Sequence, residues 1–528
     1  MSAVHAPTFG TAVIGAGMGG LTCAALLAKA GESCILLESH DKPGGCAGYF
    51  TRQLPVGSAR FDVGATALMA LEPAEWLGRL LARLGCQVPA QRVGNFPLHL
   101  PDRTVNVCAL HDMTRQLDVP PHAAARFWTC CENLARIAWP VAERLPPLPP
   151  RSLQDLVHIA RAAGFGSVRA AWAACIPLQT LLRAFGLHRS TAFCAAIDML
   201  LADTTQTDRF HSPAFNAAVC LDVYRRGLYR PFGGMGILAD QLARAAHRHG
   251  CALHYRSRVL RITRNRGGWL LETATGQRIR ASRLVSNLPY RALRAILHIG
   301  PNPPPPAAPS RTNEQSVDTW GAATIYALVH EQHLPTDAPP FAQVLQNYPA
   351  PRARAHFGEE GENLLISLSL PGDLSMAPRG HRTITISTHT RLDRWRQLPH
   401  QQHLLEKQQI TGKLLAGLAR AFPHAAHNLI HCETGTPRSW RRYTRRLAGG
   451  VGGTAVTLRT ANLLSQSSRP LPAQPLWIVG DSVFPGQGTL ACCMSGARAA
   501  RQILAAAADA QHRPRPAAPS AMPHAAIV

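Results

Sequence analysis

Three glycines near the start of the chain have the spacing of a phosphate-binding turn. Gly15, Gly17 and Gly20 follow a predicted apolar strand (residues 11–14) and precede a predicted apolar helix (residues 21–30). Here the first glycine permits a tight turn, the second lets the backbone approach a phosphate, and the third lets helix and strand pack closely. The helix N-terminus attracts the anion. This order predicts a site for the pyrophosphate of a dinucleotide.

An acidic residue after the second predicted strand indicates which dinucleotide can bind. Glu38 follows the apolar residues 33–37. It lies about 20 positions beyond the turn, where a carboxylate can accept the hydroxyls of an adenosine ribose. A carboxylate at this point disfavours a 2′-phosphate. The position of Glu38 therefore favours FAD or NAD over NADP.

A second group of glycines follows Glu38 closely. Gly44, Gly45 and Gly48 fall within eleven positions of that residue, after Asp41-Lys42-Pro43. One interpretation is a second stretch of bare backbone beside the cofactor, since glycine allows close approach. The alternative is a flexible loop without a ligand.

A third motif lies near the end of the chain. The apolar residues 476–479 predict a buried strand that ends at Gly480 and Asp481, and Gly488 and Thr489 then begin a predicted helix, residues 489–507. Such a strand places a carboxylate at a sheet edge beside a helix N-terminus, whose dipole stabilises negative charge on a bound group. The alternative is a strand-turn-helix unit without a ligand.

The composition limits the classes of partner. A chain of 528 residues is expected to form two domains. It carries 55 basic and 31 acidic residues, a formal charge of +24. The arginines are dispersed, and no basic stripe with interleaved aromatic residues is present, so we expect no nucleic-acid partner. A basic protein is attracted to anionic lipid, and we therefore expect association with a membrane surface.

Cysteine usage and hydropathy predict the compartment. The 14 cysteines include no C-x-x-C pair, so we expect no metal site and assign the scattered thiols to a reducing cytoplasm. The nucleotide-binding strand starts so early that we expect no signal peptide. No apolar run of transmembrane length appears. The prediction is a cytoplasmic protein with peripheral membrane association.

The chain closely resembles the carotenoid desaturases and isomerases, the phytoene-desaturase-like branch of the flavin amine-oxidase superfamily. The motifs that carry the resemblance are residues 15–20, 44–48, 61–66, 231–236, 436–438 and 480–488. The resemblance implies an α/β fold, with a Rossmann-like FAD-binding domain and a discontinuous α+β substrate domain, as in amine oxidases and prenyl-lipid escort proteins. It implies that Asp481 accepts a ribityl hydroxyl of FAD and that the backbone of Val259 meets the adenine.

The motifs and the patterns along the chain also predict domain boundaries. The predicted units are an FAD-binding domain of residues 1–70, 228–300 and 431–508, a helical substrate or membrane-facing region of residues 71–227, a substrate-domain sheet and helix of residues 310–430, and a disordered tail of residues 509–528. Pro-rich stretches predict a break at residues 140–150 and a linker at residues 301–309.

The implied activity is desaturation of a lipophilic polyene by hydride transfer to flavin. The stretches 61–73 and 377–390 are most similar to the C-3′,4′ desaturases. No acid/base pair or nucleophile is evident, so the catalytic side chain stays unknown. With a single nucleotide motif, electrons are expected to leave to a quinone or to oxygen. The alternatives are a polyene isomerase, a retinol-saturase-like enzyme, an amine oxidase, and a prenyl-lipid-binding protein without flavin.

Overall fold

The computed structural model describes residues 6–107, 110–144, 153, 157, 161, 164–265, 267–299, 320–349, 359–461, 468, 471 and 474–512. The predicted linker at residues 301–309 and the last part of the predicted tail, residues 513–528, lie outside the described residues. The predicted boundaries between the domains stay predictions.

The described chain contains both strands and helices, with a run of helices between β8 and β9. The strands are β1 (Thr8–Ile14), β2 (Cys34–Leu37), β3 (Tyr49–Leu54), β4 (Gly57–Asp62), β5 (Leu68–Met69), β6 (Ala90–Arg92), β7 (Phe96–His99), β8 (Thr104–Val107), β9 (Leu228–Pro231), β10 (Ala252–His254), β11 (Val259–Asn265), β12 (Gly268–Thr273), β13 (Arg278–Ser286), β14 (Leu297–His298), β15 (Trp320–His330), β16 (Phe341–Leu345), β17 (Asn363–Leu368), β18 (His381–Arg391), β19 (Leu429–Gly435) and β20 (Leu476–Ile478). The α-helices are α1 (Met18–Lys29), α2 (Trp76–Leu84), α3 (Leu110–Arg115), α4 (Pro121–Glu143), α5 (Ser167–Ala174), α6 (Leu178–Ala184), α7 (Thr191–Thr205), α8 (Ala214–Arg225), α9 (Gly236–Arg248), α10 (Tyr290–Arg294), α11 (Leu392–Gln397), α12 (His400–Ala421), α13 (Pro423–His427), α14 (Pro437–Thr444) and α15 (Thr489–His512).

The first sheet joins strands from three distant parts of the chain. Its order is β10-β2-β1-β13-β12-β11-β14, and β20 pairs with the last residues of β13. Strands β10, β2, β1, β13 and β20 run parallel, and β2 is buried along its whole length. Parallel strands covered by helices are apolar throughout, and their continuous apolar runs allow this part of the fold to be predicted from the sequence. Their carboxyl ends meet at one edge, where ligands bind in such sheets.

The second sheet is mainly antiparallel. Its order is β19-β15-β18-β17-β16-β7-β8, and only the β16–β7 pair is parallel among the pairings described. Helix α12 packs on one face, where Leu414 and Leu418 join a core with Ile366 and Ile386. The apolar/polar alternation of β15, β17 and β18 predicted this sheet because successive side chains point to opposite faces.

A helical region packs beside this sheet around Phe127, Trp128 and Phe193. Here the predicted break at residues 140–150 is wrong at its start, because α4 continues through Pro140 to Glu143. The indole Nε1 of Trp139 donates a hydrogen bond to Asp222 Oδ2 at 2.8 Å and fixes this last turn against α8. Tertiary packing thus outweighs the loss of one backbone hydrogen bond at the proline.

The carboxyl-terminal helix also exceeds its predicted length. Helix α15 ends at His512, so residues 509–512 are helical and their assignment to a disordered tail is wrong. Residues 505–508 are all alanine, the residue most favourable to a helix. Pro514 disfavours a helical conformation at the residue before it, which accounts for the end at His512. Across the described residues, no helix has the length and apolar character needed to cross a membrane.

A buried ion pair joins two strands that lie outside these sheets, β4 of the β3–β4 pair and β9 of the three-stranded β5-β9-β6 sheet. The Nη1 of Arg230 lies 2.6 Å from Asp62 Oδ2, and both side chains are almost fully buried. Arg230 also donates to the carbonyl oxygens of Thr66 and Leu368, while Asp62 Oδ1 accepts from the backbone N–H of Met235. Burial raises the pKa of Asp62 and the charge of Arg230 opposes that rise. The charged form of each side chain is therefore stable in the protein interior only because its partner is present.

We expect Asp62→Asn to lower the free energy of unfolding by about 3–5 kcal/mol, because the change leaves the Arg230 charge buried without compensation. A lower urea midpoint would measure this loss. The double variant Asp62→Leu/Arg230→Met is the control and is expected to be more stable than Asp62→Asn. Equal stability of wild type and Asp62→Asn would contradict the prediction.

Candidate active site

The first glycine turn is built from bare backbone. Gly15 has φ +93°, a value that favours glycine, and a Cβ on Gly20 would lie 2.1 Å from the carbonyl oxygen of Gly15. A Cβ on Gly17 would lie 2.1 Å from Nδ2 of Asn287. The turn between β1 and α1 therefore has no room for side chains at these positions, as the spacing predicts.

Asn287 supports this turn and was not predicted as a site residue. It follows β13 and accepts a hydrogen bond through Oδ1 from the N–H of Gly20 at 3.1 Å. It also lies beside Gly480. The signal in the sequence is a polar residue directly after an apolar strand, at the edge where parallel strands end.

Glu38 lies where the ribose partner is expected. Its Oε2 accepts from the N–H of Ala16 at 2.7 Å, and its Oε1 accepts from the N–H of His40 at 2.8 Å. The backbone carbonyl of Glu38 accepts from Ser257, two residues before Val259. Glu38 and Val259 line the same cavity. The structure therefore brings the predicted ribose and adenine residues together.

The second glycine group lies directly against the first. The N–H of Gly44 donates to the carbonyl of Ala16 at 2.8 Å. Gly44 and Gly45 have φ of +121° and +57°, and a Cβ on Gly44 would lie 2.5 Å from the Cα of Gly48. The segment is a tight backbone turn that lines the cavity. This geometry disfavours the alternative of a flexible loop without a ligand.

The closing motif completes the same edge. Gly480, with φ +103°, approaches α1 so closely that a Cβ on Gly19 would lie 2.7 Å from its nitrogen. Asp481 accepts two hydrogen bonds from Arg446, at 2.7 and 3.2 Å. Burial lowers the pKa of Arg446, but the charge of Asp481, its hydrogen bonds with Arg446 and the neighbouring thiols of Cys46 and Cys492 together raise the pKa above its usual value. Sequence reasoning missed Arg446, which lies 35 positions from Asp481 in a segment rich in arginine.

Gly488 and Thr489 begin helix α15 at the wall of the cavity. Gly488 has φ +93° and allows the chain to turn into the helix. The helix N-terminus is therefore available to stabilise negative charge on a group bound in the cavity. Of the twelve predicted cofactor residues, all but Gly20 line this cavity, and Gly20 packs behind the turn.

A cavity of about 1550 Å³ extends from these loops into the helical region and onto the second sheet. Small-molecule sites commonly have roughly 300–1,000 Å³, so this cavity has room for a dinucleotide and a long second molecule. The wall in the helical region is mainly apolar. It includes Ile137, Ala138, Ala170, Ala174, Val219 and Val223.

The second sheet supplies a more polar wall. Thr324, Ser387 and His389 line the cavity together with Gln343, whose Oε1 is buried without a hydrogen-bond partner among the described residues. Burial lowers the pKa of His389 to about 4, so its imidazole is neutral at pH 7. This wall can orient a substrate but offers no charged group from these four residues.

The described residues fit a bound FAD. The bare backbone of Gly15, Gly17 and Gly44 leaves space that side chains would fill, and Glu38 and Asp481 place carboxylates along the same cavity. Glu38 would hold the ribose, the turn and the N-terminus of α1 would hold the pyrophosphate, and Asp481 would hold the ribityl chain. When bound, FAD supplies a hydride acceptor.

We expect Gly20→Ala to abolish or greatly reduce flavin binding, because the new methyl group would collide with the carbonyl of Gly15. Flavin content per protein, from the visible absorbance, measures the effect. The matched control is Gly412→Ala, also within a helix but with open space around the position, which is expected to keep full flavin content. Normal flavin binding by Gly20→Ala would contradict the assigned role of the turn.

Comparison with known proteins gives the family. Residues 18–504 match the model of the flavin containing amine oxidoreductases. Prolycopene isomerase 2 of an Oncidium hybrid cultivar is 25% identical, over 95% of this chain and 84% of that protein. Carotenoid 3,4-desaturase of Haloarcula japonica is 23% identical, over 93% of this chain and 97% of that protein. The resemblance to carotenoid desaturases and isomerases is confirmed.

A solved structure gives the fold. Cyclohexylamine oxidase from Brevibacterium oxydans superimposes with a TM-score of 0.59 at 16% identity, covering 96% of this chain and all of the other. The predicted two-domain α/β fold and the predicted FAD cofactor are confirmed. The chain therefore belongs to the flavin-containing amine oxidoreductase family, as an enzyme that uses FAD.

Proposed function

We propose that this enzyme desaturates a carotenoid or a similar polyene. The observation that carries the proposal is the large cavity, whose helical wall is mainly apolar and which is continuous with the FAD-binding loops. A long hydrocarbon suits such a wall because burying apolar surface is favourable. The similarity to a prolycopene isomerase and to a carotenoid 3,4-desaturase supports the same substrate class, and the second supports the 3,4 position.

The chain's own contribution to this reaction is positioning and exclusion of water. Helices α4, α5 and α8 surround the apolar part of the cavity and would align the polyene with the cofactor loops. Arg446 and Asp481 form a half-buried ion pair beside those loops and hold the closing motif in place. The helix N-terminus at Thr489 would stabilise negative charge on a bound FAD. The electron acceptor that we propose is a quinone or oxygen.

The alternatives differ in redox balance and substrate polarity. An isomerase changes the geometry of the polyene without net oxidation and would require reduced flavin, and a saturase adds hydrogen. An amine oxidase needs a site for a polar amine, whereas the helical wall of the cavity is mainly apolar. A lipid-binding protein without flavin is disfavoured by the intact glycine turn, Glu38 and Asp481.

We expect anaerobic incubation of the FAD-loaded protein with neurosporene, lycopene or a hydroxylated carotenoid to bleach the flavin bands while the polyene absorption moves to longer wavelength. Loss of two hydrogens extends the conjugated system, which causes the shift. A primary amine is the control substrate and is expected to leave the flavin oxidised. Bleaching by the amine alone would contradict desaturation, and a change of polyene geometry only with reduced flavin would identify an isomerase.

We further propose that the substrate reaches the cavity from a membrane surface at helix α5. Val168 and Trp172 on this helix are 76% and 56% exposed, while Ala170 and Ala174 line the cavity. Arg169 is exposed beside them. Exposed apolar side chains next to a cation suit the surface of an anionic bilayer. This location agrees with the predicted cytoplasmic, peripheral association, which stays a proposal.

We expect the double variant Val168→Glu/Trp172→Glu to bind vesicles of anionic phospholipid about tenfold or more weakly, because it removes apolar burial and adds repulsion. Cosedimentation measures the binding. The double variant Leu404→Glu/Leu405→Glu on α12, where both leucines are also exposed, is the matched control. An equal loss in both variants would refute a specific contact at α5.

A further inference from the structure

A carboxyl group projects into the cavity from the last turn of α7. Asp203 lines the cavity and is only half-buried, although it lies deep in the protein, because its accessible surface faces the cavity. Neither the glycine motifs nor the proposed positioning of the polyene uses this residue. A carboxyl in a mainly apolar cavity requires an explanation, since burial of an unpaired charge is unfavourable.

One side of this carboxyl is held by a tyrosine. The hydroxyl of Tyr224 donates to Asp203 Oδ2 at 2.9 Å. The Tyr224 ring stacks on Phe96 with 5.9 Å between ring centroids, which restricts its position. Within the described part of the chain, no residue donates to Oδ1 of Asp203 and no cation pairs with it. Oδ1 is therefore available to a molecule in the cavity.

The surroundings make this carboxylate a stronger base than usual. Burial raises the pKa of Asp203, and the hydrogen bond from Tyr224 lowers it by a smaller amount. The titratable group that faces it is Tyr224 on α8, and Cys220 on the same helix lies beside Tyr224. Burial raises the pKa of both, so they are neutral at pH 7.

Asp203 is also tied to the cofactor side of the cavity. Its backbone carbonyl accepts from Nε2 of Gln487, which lies in the closing motif two residues before α15. Gln206, three residues further along the chain, donates to Val451, and its side chain and that of Gln487 both approach Gly452. The segment that carries Asp203 is therefore packed against the loop that leads into the flavin-facing helix.

We propose that Asp203 is the catalytic base that takes up the proton released when the polyene is desaturated, an inference that rests on the proposed function. One C–H bond of the polyene breaks and its electron pair leaves as hydride to the oxidised FAD. The C–H bond on the neighbouring carbon breaks, its electron pair forms the new C=C bond, and its proton forms an O–H bond with Oδ1 of Asp203. The polyene loses two electrons and the FAD gains two.

The apolar surroundings favour the product of this step. Proton transfer converts a buried carboxylate into a neutral acid, which an apolar site prefers. Tyr224 is a positioning residue, since it orients the carboxylate through Oδ2 and leaves Oδ1 free.

The test is anaerobic single-turnover bleaching of the FAD-loaded full-length protein with a polyene that the wild type oxidises. Asp203→Asn is expected to slow bleaching by about 100-fold or more. Its flavin content and its binding of the polyene, from the shift of the polyene spectrum, are expected to be unchanged. The wild-type rate is expected to fall as pH decreases through the pKa of Asp203, and this dependence is expected to be absent in Asp203→Asn.

Two further variants separate catalysis from structure. Tyr224→Phe removes the hydrogen bond that lowers the pKa of Asp203, so the fall in rate is expected at higher pH. Asp208→Asn is the control, because Asp208 does not line the cavity and asparagine keeps an acceptor for the N–H of Phe210. If Asp203→Asn keeps the wild-type rate and pH profile, the proposed role of Asp203 is overturned, while the proposed function of the enzyme is unaffected. If the wild type oxidises no polyene, the proposed function itself fails.

Discussion

A buried ion pair between Asp62 and Arg230 links the parts of the molecule that build the site. Asp62 ends β4, the second of the two strands that follow the second glycine group, and Arg230 lies in β9, just before the glycine-rich residues 231–236. The guanidinium also bonds the carbonyl of Leu368 at the end of β17, in the second sheet. Because an unpaired charge is costly in a protein interior, these segments are held in one arrangement. The cavity between the two sheets depends on that arrangement.

The two ends of the cavity are formed by different parts of the chain, one mainly by backbone groups and the other mainly by side chains. At the dinucleotide end, close approach of Gly15, Gly20 and Gly480 leaves a surface of N–H and carbonyl groups, suited to phosphate. At the other end, apolar side chains of the helical region enclose a long space. Few polar side chains interrupt it. In the proposed reaction, the cofactor accepts the hydride and a titratable group that faces the cavity, Asp203, accepts the proton.

Much of the first sheet and its glycine loops could be predicted, because buried parallel strands and close backbone turns leave local patterns in the sequence. The ends of helices were predicted less well. Helix α4 passes Pro140 because Trp139 is anchored to Asp222 on another helix, and no local pattern contains that contact. The FAD cofactor and the two-domain fold followed from motifs, whereas the reaction depends on how distant walls of the cavity meet.

The sequence by itself determined the cofactor and the positions where bare backbone is required, since glycine spacing and the position of Glu38 act within a short stretch of chain. Only the tertiary structure decided which side chains support these loops and which face the cavity. Asn287 bonds Gly20 across 267 positions, and Gln487 bonds the carbonyl of Asp203 across 284. Such pairs leave no periodicity or spacing in the sequence, because they form only when separate strands and helices pack around one common cavity.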